Sequence, residues 1–131
     1  MELPITLVTA AVAAIVAIWL AVRVGRVRSS AKIPHGHGDN PLLLKRMRAQ
    51  ANYVEYTPFV LILVAVLEIS GRGGTWLVVV AGGYFLARVA HALGMDNDVA
   101  LNGLRGIGIL YTILTLLGLA LYAVLVAARV A

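Results

Sequence analysis

The sequence contains no cysteine. It can form no disulfide, gives a metal no thiolate ligand and has no thiol nucleophile, so any thiol chemistry must use a substrate's sulfur. Charge is scarce too: 13% of the 131 residues are Asp, Glu, Lys or Arg, where a soluble domain carries about 25%. Acidic residues number only 6 against 11 basic ones, leaving a net charge of +5 and a pI near 10.1. In a soluble chain that balance would suggest nucleic acid. Here 61% of residues are hydrophobic, so the basic residues are better read as topology markers and nucleic acid is not expected as a partner. Composition implies one integral membrane domain over residues 1–131.

Four apolar runs predict an all-α membrane protein, a bundle of four transmembrane helices. The first run, Ile5 to Val24, is about twenty residues long and can span a bilayer. A front carrying Glu2 and the lack of a small-x-small cleavage site argue against a signal peptide. Arg23 and Arg26 follow on the last turns, where long side chains can snorkel to the interface. Arg28 to Pro41 reads as a loop rich in Pro, Gly and small polar residues. Its His35 and His37 are two imidazoles without a third ligand, so no metal site is expected. Asp39 or Asn40 before Pro41 reads as a helix start. Helix 2 is expected from Pro41 to Ile69, bent at Pro58. A Gly-rich turn, Ser70 to Thr75, precedes helix 3 from Trp76 to Leu93. A polar loop over Gly94 to Asn102 then leads to helix 4 from Gly103 to Ala127.

Most basic residues fall on the first loop and its flanks: Arg23, Arg26, Arg28, Lys32, Lys45, Arg46 and Arg48. The positive-inside bias then puts both longer loops in the cytoplasm and both termini outside.

The stretch Arg48 to Pro58, R-A-Q-A-N-Y-V-E-Y-T-P, carries the chemistry. Arg48, Asn52 and Glu55 are spaced by four and three, which puts them on one helix face. Glu55 follows Leu42 by thirteen residues, about 20 Å of helix. A carboxylate that deep in hydrocarbon is costly without a partner and marks a candidate site. Arg88 and His91 near the end of helix 3, and Arg105 at the start of helix 4, fall at the same depth. Arginines suit carboxylates or phosphates, Glu55 suits an ammonium, and Asn52 both donates and accepts. A ligand with several carboxylates and one amine fits this set. An arginine can also hold a thiol as thiolate. A hundredfold shift towards thiolate takes about 2.7 kcal/mol.

That segment closely resembles the helix 2 signature of the MAPEG superfamily, the membrane-associated proteins in eicosanoid and glutathione metabolism. R-V-A-H at Arg88 to His91, the preceding G-D-N-P and the helix 4 arginine are also similar, so the resemblance covers essentially the whole chain. It implies a bacterial-type member in the cell's inner membrane, assembled as a homotrimer. Glutathione, the cosubstrate, would lie between protomers on the cytoplasmic side. The resemblance assigns Arg48, Asn52, Glu55, Arg88 and His91 to glutathione binding, joined by Arg23 or Arg26 from the adjoining subunit's first helix. Arg105 would stabilise the thiolate. Met95 replaces a tyrosine common at the end of helix 3, and Gly106 replaces the serine of prostaglandin-forming members, so isomerase chemistry is not expected. A glutathione transferase or peroxidase acting on lipophilic electrophiles is the enzyme reading. The alternative is a non-catalytic protein that binds lipid or a membrane partner. A small transporter coupled to protons through Glu55 is disfavoured, because a cluster of arginines would repel cationic cargo.

Overall fold

The computed structural model describes residues 2–98 and 103–130. Among these residues four helices are long and apolar enough to cross a membrane: α1 Pro4–Ala31, α2 Pro41–Leu67, α3 Thr75–Met95 and α4 Gly103–Ala127. They form the expected bundle, with the closest pairings between α1 and α2 and between α3 and α4. Of the loop expected over Gly94 to Asn102, residues 99–102 lie outside the described residues.

Each boundary has a local cause. The Asn40 side chain accepts from the Leu43 N–H at 3.0 Å, and Pro41, whose missing N–H would be unpaired there anyway, opens α2. The helix runs unbroken through Pro58. After α2, one wide turn, Glu68–Arg72, leads to the glycines that reverse the chain. Gly71 at φ 73° and Gly74 at φ 150° occupy backbone regions that a Cβ disfavours. Helix α1 ends seven residues later than hydropathy suggests. Val24 and Val27 continue its buried face and pack with Leu43, while Arg23 is paired inside the protein. Hydropathy stops at the arginine; packing does not.

The main core is drawn from all four helices and includes Leu20, Tyr53, Val60, Val64, Leu77, Tyr84, Phe85 and Leu119. The outward faces carry large apolar side chains such as Leu7, Ile15 and Ile18 on α1 and Leu110, Leu117 and Leu121 on α4. This is the expected surface for hydrocarbon, which gives those side chains no reason to hide.

Glu68 has a role that its sequence position does not suggest. Its carboxylate accepts from the Ile5 N–H at 2.9 Å, the Thr6 N–H at 2.7 Å and the Thr6 hydroxyl at 2.6 Å. It thereby caps the first turn of α1 from the far end of α2, satisfying amide groups that a helix start leaves open.

Candidate functional site

Polar side chains from α2, α3 and α4 meet in the loop-side half of the bundle. Arg88 is 1% exposed. Its guanidinium donates to the Asn52 side-chain oxygen and, at 3.1 Å, to the Thr112 hydroxyl. That hydroxyl donates in turn to the Gly108 carbonyl at 2.9 Å. The Arg88 Nε is buried without a hydrogen-bond partner, and no carboxylate pairs with Arg88 among the described residues. A guanidinium in this state is costly to keep, since burial removes hydration that neutral partners only partly replace.

One turn on, His91 is also buried, and its Nδ1 reaches the Arg105 carbonyl at 3.4 Å. Because that oxygen can only accept, Nδ1 carries the hydrogen. Gly108 makes this approach possible. A Cβ there would collide with the His91 Cβ and the Ala87 carbonyl. Gly103 and Gly106, by contrast, have open space around them. Deeper along α2 and α3, the Thr57 and Tyr84 hydroxyls bond at 2.8 Å, and the Tyr53 hydroxyl donates to the Ala13 carbonyl at 2.7 Å.

The shared face of Arg48, Asn52 and Glu55 straddles the edge of the bundle. At about 100° per residue, Asn52 points about 40° to one side of Arg48 and Glu55 about 20° to the other. Asn52 is half-buried and meets Arg88, while Arg48 and Glu55 are exposed. They form no ion pair with each other or with the buried cluster. The structure thus joins Asn52, Arg88, His91 and the Arg105 backbone, and leaves Arg48 and Glu55 on the outer surface of the bundle. Met95, which shares the Tyr84–Arg88–His91 face, packs partly buried against the core.

The helix 1 arginines divide. Arg26 is exposed. Arg23 is buried, donating to the Asp96 carboxylate at 2.6 Å and the Ala92 carbonyl at 3.1 Å, with its guanidinium 4.8 Å from the Trp19 ring centre. Arg46 shares the same carboxylate at 3.1 Å and also donates to the Arg23 carbonyl at 3.1 Å. Lys45 pairs with Asp98. The ammonium hydrogen-bonded to Asp98 holds that exposed carboxyl below its usual range. Sequence reasoning left Asp96 in a loop. The available signal was the rarity of acids in the chain, which made each one a prospective partner for a nearby cation. Among the described residues no group of three or more His, Asp or Glu is placed to hold a metal ion.

No curated protein and no solved structure matches the chain. The sequence model of the MAPEG family matches residues 6–125. With four spanning helices and a helix 2 polar face running through the matched region, this protein is a membrane protein belonging to the MAPEG family.

Proposed function

We propose that the protein is a glutathione-dependent enzyme of transferase or peroxidase type, acting on lipophilic electrophiles that enter from the bilayer. One observation carries this reading. A buried cation, Arg88, lacks a carboxylate partner and stands behind an α2 face that turns Arg48 and Glu55 outward. An anionic ligand on that face would supply the missing negative charge. Arg48 would take a glutathione carboxylate, Glu55 its ammonium, and Asn52 a backbone amide. Being sealed, Arg88 would act through its field and by fixing Asn52, and His91 by holding α4 in place.

Arg105, half-buried on the first turn of α4, would face the sulfur. Its charge and the positive end of α4 both favour thiolate over thiol. The thiolate would then form an S–C bond at the electrophilic carbon of a conjugation substrate, expelling its leaving group. With a hydroperoxide it would attack one oxygen, breaking the O–O bond, releasing the alcohol and leaving a sulfenic acid that a second glutathione converts to the disulfide and water. Since Arg48 and Glu55 face away from the protomer, the site needs a neighbouring copy to enclose it, in keeping with a homotrimer whose adjoining α1 offers Arg26. Arg23 is already committed to Asp96. The basic loops would face the cytoplasm.

The test is rapid mixing of the purified protein with glutathione while following thiolate absorbance. Absorbance should rise for wild type and stay flat for Arg105→Ala, with glutathione binding retained in both by calorimetry. Binding without thiolate in wild type would overturn the enzyme reading. A second reading, a non-catalytic lipid-binding protein, draws on an apolar hollow of about 430 Å³ between α1 and α3, lined by residues such as Val8, Val12, Val78 and Phe85. It expects lipid retention without turnover, unchanged in Arg105→Ala.

A further inference from the structure

A second hollow lies at the loop end of α1, outside the reaction proposed above. It is open, about 480 Å³, and lined by Gly25, Arg28, Ser29, Lys32, Ile33 and Pro34. The hollow is open at Gly25, where an added Cβ would meet nothing within 4 Å. Ser29 and Lys32 follow Gly25 by four and seven residues, so hydroxyl and ammonium flank the gap. Both are exposed. Arg28 forms the rear wall, steadied by donating to the Gly36 carbonyl at 2.8 Å and the Ile33 carbonyl at 3.4 Å.

Lys32 closes α1 at φ 55°, with its backbone N–H donating to the Arg28 carbonyl, the left-handed position in which helices commonly end. Depth points to the ligand. The 28 residues of α1 span about 42 Å at about 1.5 Å each, against about 30 Å of hydrocarbon. Counting from Pro4, about twenty residues fill that core, which leaves Gly25 to Lys32 among the headgroups. The negative end of the helix dipole, about half a charge, is outweighed there by Arg26, Arg28 and Lys32.

We propose that this hollow binds the phosphate of an anionic phospholipid from the adjoining leaflet. The Lys32 ammonium and Ser29 hydroxyl contact phosphate oxygens, Arg28 gives the wall its charge, and Ile33 and Pro34 meet the glycerol backbone. A lipid is the occupant because the hollow opens in the headgroup layer and has one apolar flank.

The experiment places the full-length protein in nanodiscs of phosphatidylcholine and phosphatidylglycerol in equal parts. Lipid retained after mild detergent extraction is then counted by native mass spectrometry. Phosphatidylglycerol is expected to be retained preferentially, and Ser29→Ala with Lys32→Gln to reduce that retention about tenfold. Lys32→Arg keeps the lipid, and so does Arg129→Gln, which removes the same charge at the opposite end. Equal retention of both lipids, or unchanged retention in the double variant, overturns the proposal. Displacement by millimolar inorganic phosphate also overturns it, by assigning the hollow to a free anion. A circular dichroism melt of each variant excludes loss by unfolding, and Lys32→Gln alone serves if the double variant does not fold.

Discussion

Arg88 shows what a single side chain asks of its surroundings. It is sealed in a four-helix bundle with Asn52 and Thr112 as partners. Asn52→Leu leaves the buried guanidinium without its amide acceptor, so stability should fall by about 2 kcal/mol, read as a lower unfolding midpoint in detergent. Thr112→Val keeps the shape and removes the other acceptor. It should also cost about 2 kcal/mol, and an unchanged midpoint in both variants would contradict the arrangement. Spacing alone revealed that Arg88 and His91 belong together and that Asn52 shares a face with Arg48 and Glu55. It could not say how that face is turned, because helical periodicity fixes relative angles and leaves the absolute rotation to packing. Asn52 therefore points inward while Glu55, three residues on, points out.

Pairs of elements are held by contacts with no local signature. Asp96 collects Arg23 from α1 and Arg46 from α2 just beyond the end of α3. These partners lie fifty and more residues away, so no window of sequence contains the pair. The bounds of α4 were legible because no charged residue interrupts it from Ile107 to Ala127. The end of α1 was not, because its arginine is buried by an acid from a distant loop. At this scale the glycines give a controlled comparison. Gly108→Ala forces α3 and α4 apart at His91 and Ala87 and should destabilise by about 1–3 kcal/mol. Gly106→Ala, with open space around it, should stabilise by up to about 1 kcal/mol. Thermal unfolding of the two variants side by side checks both signs. The Lys45–Asp98 pair sets a pH dependence. Asp98 is held low in the folded protein, so its contribution is complete above its unfolded-state range, near pH 4. It fades only as pH falls through the lower folded-state value. An acid titration of stability for Asp98→Asn against wild type should therefore converge below that window and separate above it.

For the molecule as a whole, the four-span architecture followed from composition and run length, and the family match covers residues 6–125. Sidedness can be tested cleanly because the chain has no cysteine of its own. In intact cells a membrane-impermeant maleimide should label Ser70→Cys, in the turn between α2 and α3, and spare His35→Cys, in the loop after α1; the reverse pattern would invert the topology. Assembly is the other global property. Native mass spectrometry in mild detergent should give three chains per particle, and a monomer under conditions that preserve the fold would leave the α2 face uncovered. Helix α1 is fastened twice, by the Glu68 carboxylate at its start and by Asp96 on Arg23 near the other membrane surface. Sliding by even one residue, about 1.5 Å, would break both fastenings at once. Helix α1 consequently has no piston stroke of its own, and answers a thicker or thinner bilayer by leaning together with the helices it is fastened to.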